Sequence, residues 1–110
     1  MAYDDDLAAR IRELLGSETG VVEKRMFGGL AFMVDGNMAI AASGQGGLLV
    51  RVRPDDTEAL LEQEHVEPMV MRGREMRGWL RVGIDGAATE RQLESWVERG
   101  TAYAKSLDPK

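Results

Sequence analysis

The stretch Leu30-Ala31-Phe32-Met33-Val34-Asp35-Gly36-Asn37-Met38-Ala39-Ile40-Ala41-Ala42 decides how this chain is read. Leu30, Phe32 and Val34 alternate with Ala31 and Met33. Asp35-Gly36-Asn37 has the residue types of a tight reversal, and Met38, Ile40 and Ala42 then alternate with Ala39 and Ala41. A period of two on both sides of a Gly-centred turn marks an antiparallel β-hairpin, because side chains on a strand point alternately to its two faces.

Outward from the hairpin, Ser43-Gly44-Gln45-Gly46-Gly47 is a flexible turn. Leu48, Val50 and Val52 then point one way and Leu49, Arg51 and Arg53 the other, giving a third antiparallel strand. Pro54-Asp55-Asp56 opens a short helix carrying Ala59, Leu60 and Leu61 and ending near His65, since proline and acids suit a helix start. Pro68 begins an extended segment through Met71, Arg72-Gly73-Arg74 reads as a turn or irregular link, and Gly78 to Val82 makes the fifth strand.

Two longer helices bracket these elements. Asp4 to Asp6 precede Leu7, Ile11, Leu14 and Leu15, whose spacing puts them on one helical face before Gly16. Near the other end, Thr89 and Gln92 form a capping-box pattern ahead of Leu93, Trp96, Val97, Gly100, Ala104 and Leu107. The order α-β-β-β-α-β-β-α lacks the strand-helix alternation of a parallel sheet. The expected fold is therefore a two-layer α+β domain over residues 1–110, with an antiparallel five-stranded sheet and helices on one face.

The pattern holds more apolar residues than one core needs. Ala31, Met33, Ala39, Ala41 and Leu49 lie in the phase opposite the helix-facing one, where a solvated face is polar. A second copy of the chain is the simplest cover, so a homodimer with these five residues as its face is expected.

Composition narrows the function classes. With 44% hydrophobic residues and 3 prolines, the 110-residue chain can form one packed globule. It has no cysteine, which removes disulfides, thiolate metal sites and Cys nucleophiles and fits a reducing compartment. The start, Met1-Ala2-Tyr3-Asp4-Asp5-Asp6, is acidic where a signal peptide is basic, and no apolar run approaches the roughly 20 residues a bilayer span needs. Cytoplasmic location is expected. The net charge of −5 works against nonspecific nucleic-acid binding, which depends on Lys and Arg neutralising phosphates.

No residue set reads as catalytic. His65 is the only histidine and sits in the polar tail Glu62-Gln63-Glu64-His65, so neither a multi-His metal site nor a Ser-His-Asp arrangement is expected. Asp4-Asp5-Asp6 and Asp55-Asp56 fall at helix starts, where the helix dipole accounts for them. Gly28-Gly29 and Gly44-Gln45-Gly46-Gly47 lead into strands rather than from strand to helix, so they are not phosphate loops; Gly28-Gly29 is expected to ease a bend in a long strand. No cofactor or metal is expected.

Arg72, Arg74, Arg77 and Arg81 against Glu75, with Trp79 among them, form the most basic segment, and Arg51 and Arg53 extend it if their strand lies alongside. Guanidinium groups beside an indole suit either a partner protein or a stacked base. Trp79, Trp96, Phe27, Phe32 and Tyr103 fall on apolar phases and read as core anchors, and the methionines suit an irregular core or an adaptable contact surface.

Four segments together, Lys24-Arg25-Met26-Phe27-Gly28-Gly29-Leu30-Ala31-Phe32-Met33, Asp35-Gly36-Asn37-Met38, Leu48-Leu49-Val50-Arg51-Val52 and Met76-Arg77-Gly78-Trp79-Leu80-Arg81-Val82, resemble the N-terminal domain of the TfoX/Sxy competence regulators. Met26, Phe27, Gly28, Gly29 and Gly78 are the structural motif of that resemblance. It implies a secretion-chaperone-like α+β fold, no enzymatic activity, and a regulatory role beside the cyclic-AMP receptor protein in expressing DNA-uptake genes. The two-domain regulators have a second, C-terminal domain, so a stand-alone version of the first is expected here. The first functional expectation is a non-enzymatic module acting through protein contacts, with a transcription factor or other regulatory protein as partner and no membrane. The second is direct nucleic-acid binding through Arg72, Arg74, Arg77, Trp79 and Arg81. The third is a small-molecule or enzymatic site near Gly28, Gly29 and Arg25, which requires a pocket with convergent polar groups.

Overall fold

Both long helices begin where their capping residues place them. In the computed structural model, which describes residues 3–26 and 28–109, Asp4 Oδ1 accepts from the backbone N–H groups of Asp6 at 2.9 Å and Leu7 at 3.1 Å and starts α1 (Asp5–Leu14). Thr89 and Gln92 close a reciprocal capping box, at 3.1 Å and 3.0 Å, at the start of α3 (Glu90–Ser106). A short 3-10 turn at Pro54–Asp56 leads into α2 (Thr57–Leu60), which stops before the expected His65; a second 3-10 turn spans Ile84–Ala87.

The strands are β1 (Val21–Met26), β2 (Gly29–Val34), β3 (Asn37–Ala42), β4 (Leu48–Arg51), β5 (Val66–Met71) and β6 (Arg74–Val82). They form one antiparallel sheet in the order β1-β2-β3-β4-β6-β5. The α+β class, antiparallel sheet and helix placement agree with the sequence reading, with six strands in place of five. The extra strand arises at Gly28-Gly29. Met26 pairs with Gly29 and Val21 with Val34, so the chain reverses there into a hairpin instead of bending along one long strand. Phe27 lies outside the described residues.

The helices cover one face. Leu7, Ile11, Leu93, Trp96 and Val97 meet Phe32, Ile40, Val50 and Leu80 in the larger core cluster. Gly100 lets α3 approach closely, since a Cβ there would overlap the Ala39 carbonyl. Ala39 thus belongs to the helix side and not, as expected, to the opposite face. The cause is a β-bulge: Phe32 pairs with Ile40 but the next residue, Met33, pairs with Met38, so β3 spends one more residue than β2 and its alternation inverts. Met38 takes the place assigned to Ala39.

On the opposite face Ala31, Met38, Ala41 and Leu49 form a second cluster, with Met26, Met33, Met69 and Trp79 packed around it. Small alanines in the middle let the larger side chains from the flanking strands lean inward. Ala31 is 1% and Leu49 7% exposed within the single chain, so what remains accessible is the methionine and tryptophan rim.

Candidate functional site

β6 contains the Gly-Trp pair and is the element around which the basic residues are arranged. Its pairing with β5 jumps from Pro68 opposite Leu80 to Val70 opposite Glu75, so several residues of β6 around Gly78 are looped out of register. Gly78 has φ +91° there, a conformation that suits glycine, and its N–H donates to Thr57 Oγ1 at 2.9 Å while its carbonyl accepts from the Val52 N–H at 2.9 Å. The irregularity docks β6 against the Pro54 turn and divides the arginines expected to form one patch.

Arg77 turns toward that turn and α2. It donates to Glu58 through Nε and Nη2, both at 3.2 Å, and through Nη2 to Asp55 at 3.4 Å. These contacts, the Glu58 hydrogen bonds first, raise the Arg77 pKa and lower that of Glu58. Asp55 is thus an ion-pair partner, as is Asp56, which lies 3.8 Å from Arg99. Arg72, at φ +55°, forms the β5–β6 turn with Gly73, and Arg74 starts β6 beside it. Arg81 sits between Leu49 and Glu67 in neighbouring strands. The segment therefore presents Arg72 and Arg74 at a hairpin tip, a neutralised Arg77 on another surface, and Trp79 with Arg81 in the body of the sheet.

The convergence that does form centres on Trp79. β4 lies beside β6 and places Arg51 opposite Trp79. The Arg51 guanidinium carbon is 5.1 Å from the Trp79 ring centroid and 5.6 Å from that of Tyr103 on α3, and that of Arg53 is 5.9 Å from Tyr103. These distances are within cation-π range. Among the described residues neither Arg51 nor Arg53 makes an ion pair or a side-chain hydrogen bond. Tyr103, read from sequence as a core anchor, is instead half-buried under the two guanidinium groups. Helical spacing alone does not reveal this, because the strand that meets Tyr103 is far away in the chain.

Several clefts lie on the surface of the described residues. One of about 450 Å³ lies beside His65 and the first half of α3, lined by Arg91, Gln92, Ser95, Trp96 and Arg99. Another, about 360 Å³, is bounded by Arg53, Asp56, Glu98, Arg99 and Tyr103. A third lies between the end of α1 and α3, and a fourth beside Gly46 and Arg81. None of these four reaches Gly28, Gly29 or Arg25. Among the described residues no three His, Asp or Glu side chains gather at metal-binding distance, and no helix is long and apolar enough to cross a membrane.

No curated protein and no solved structure matches the chain. A family model does: the TfoX N-terminal domain matches residues 13–104, from within α1 to the last turns of α3, and includes every strand and the Gly78-Trp79 pair. With the fold and the matched segments in agreement, the chain belongs to the TfoX N-terminal domain family.

Proposed function

We propose that this domain is a non-enzymatic regulatory module of the cytoplasm that acts by binding another protein. The observation that supports this most is the sheet face without helices, where Met26, Met33, Met69 and Trp79 stand half-buried around a floor of Ala31, Met38, Ala41 and Leu49. Flexible thioethers adapt to a partner's shape, and a half-exposed indole provides a large contact area at small entropic cost. A transcription factor suits the family's regulatory association, and a second copy of the chain would use the same rim. Direct nucleic-acid binding through Arg72, Arg74, Arg77, Trp79 and Arg81 has less support, because Asp55 and Glu58 already occupy Arg77 and the five residues do not share one surface.

The test is affinity capture from native cytoplasm with the wild type and with Met33→Glu/Met69→Glu, whose folding is checked by circular dichroism. A discrete protein recovered by the wild type and lost from the folded variant is the expected result. Recovery of the same proteins by both would remove this face from the reading. Metabolite turnover by the purified chain, abolished by changing one polar side chain, would end the non-enzymatic interpretation.

A further inference from the structure

Arg51 and Arg53 differ from the other basic residues in how they are held. Arg12, Arg77, Arg99 and Lys105 each face a carboxylate, and Arg10 donates to the Ala87 and Ala88 carbonyls, while Lys24, Arg25, Arg72, Arg74, Arg81 and Arg91 show neither a carboxylate nor a ring partner among the described residues. Arg51 is half-buried against Trp79 and Tyr103, and Arg53 lies over Tyr103, yet neither has an acceptor among the described residues. A guanidinium stacked on rings keeps its in-plane N–H donors free, and the stacking reduces the entropy it loses when a carboxylate arrives.

Trp79 links this pair to the methionine face. Its ring packs against the Ala31, Met38, Ala41 and Leu49 cluster and also lies under Arg51. An apolar strip and Arg51 are therefore continuous through one indole, and Arg53 joins them through the Tyr103 ring that both guanidinium groups approach. Building on the protein-binding reading, we infer that this continuous surface receives an acidic segment of a partner protein, with the partner's apolar side chains on the methionine rim and its carboxylates on Arg51 and Arg53. Trp, Tyr and Arg are also the residue types in which interface energy concentrates.

Charge complementarity selects this occupant over a nucleic acid. A strand of phosphates needs a track of cations, but in the cleft beside Arg53 and Tyr103 the third cation, Arg99, faces Asp56, Glu98 stands beside it, and the whole chain is at −5. One or two carboxylates on a short segment meet the two arginines without running along those acids.

The experiment is calorimetric titration of the full chain with a short synthetic peptide of alternating Glu and Leu, beside the same peptide with Gln for every Glu. The acidic peptide is expected to bind at least about tenfold more tightly, and to weaken as salt rises from about 0.05 M to about 0.5 M. Arg51→Gln/Arg53→Gln should abolish the difference between the peptides, while Arg72→Gln/Arg74→Gln should retain it. Equal binding of the two peptides by the wild type overturns the inference, and this comparison holds even if a variant fails to fold. Loss through the Arg72 pair in place of the Arg51 pair overturns it, as does an oligothymidylate displacing the acidic peptide. Light scattering that shows self-association dependent on Arg51 and Arg53 would assign the surface to a second copy and likewise overturn it. A cellular partner captured equally by the wild type and by Arg51→Gln/Arg53→Gln would refute this surface and leave the protein-binding reading intact. Capture insensitive to Met33→Glu/Met69→Glu would remove the methionine rim from the protein-binding reading and overturn the inference with it.

Discussion

The two faces of this sheet are built from adjacent residues of the same strands and have opposite physical character. Phe32 is 0% exposed and packs under the helices among Ile40 and Val50, whereas its neighbour Met33 stands half-buried at the rim of the other face. The helix side is filled by branched and aromatic side chains of fixed shape, with α3 close enough at Gly100 to touch the sheet backbone. The other side is a floor of Ala31, Met38, Ala41 and Leu49 with methionines at its rim. The difference separates a face that specifies the fold from one free to adapt, since close-packed interiors respond to the loss of even one methylene while thioether-lined surfaces rearrange.

Paired truncations probe that division most strongly. Phe32→Ala is expected to cost about 3 to 5 kcal/mol by urea unfolding, through lost burial and the cavity left under the helices. Met33→Ala, one residue away, should cost under about 1.5 kcal/mol because part of the side chain already meets solvent. Equal losses at the two positions would mean that the methionine face is as structural as the helix side.

The next effect in size belongs to the hinge between the body of the sheet and the Arg72 hairpin. At φ +91°, with a Cβ that would lie 3.3 Å from both the Val52 carbonyl oxygen and Pro54 Cγ, Gly78→Ala faces strain and crowding together. A loss of about 1 to 3 kcal/mol is expected by the same measurement. Hydrogen exchange should place the extra opening in β6 and the Pro54 turn, since the Gly78 N–H to Thr57 bond is lost first.

Much of this division is legible in the sequence. Local chemistry declared itself: the Asp4 cap, the Thr89 and Gln92 box, the Leu30 to Ala42 hairpin and the apolar phase of α3 all depend on residues within a few positions of one another. The bulge at Ala39 did not, because Met38 and Ala39 are both apolar and alternation cannot show where a strand spends an additional residue. The reversal at Gly28-Gly29 was hidden for a similar reason: two glycines between extended segments suit a bend as well as a turn. The basic site was half legible. Arg51 beside Trp79 followed once β4 was placed next to β6, but Tyr103 joins them from a helix at the far end of the chain. The division of Arg77 from Arg72 and Arg74 depends on the out-of-register stretch around Gly78.

A smaller effect of opposite sign is expected within the helix layer. Thr101 on α3 is 6% exposed, and its Oγ1 has no hydrogen-bond partner in the described structure. Thr101→Val keeps the β-branched shape and removes the unsatisfied hydroxyl, so stability should rise by about 1 kcal/mol. A decrease would show that the hydroxyl is paired, and that the helix side is more polar than its packing indicates.

The smallest effect concerns how the helix layer is fastened to the edge of the sheet. Arg12 on α1 donates to both carboxylate oxygens of Glu23 on β1, at 2.5 Å and 2.7 Å. The hydrogen bonds from Arg12 are the largest influence on Glu23 and hold its carboxyl below the ordinary value; partial burial opposes them and the Arg12 charge adds to them. A carboxyl whose pKa is lower folded than unfolded gives the native state stability that is fully present above the unfolded value. That stability is lost as pH falls through the folded value. The wild type should therefore lose more stability than Arg12→Gln between neutral pH and about pH 3, with the two converging at the acid end. Both side chains meet solvent, so the difference is expected to shrink further in high salt. Parallel unfolding midpoints across the whole pH range would mean that the pair contributes nothing, and that α1 is held in place by its buried Leu7, Ala8 and Ile11 and by other contacts such as those of Arg10.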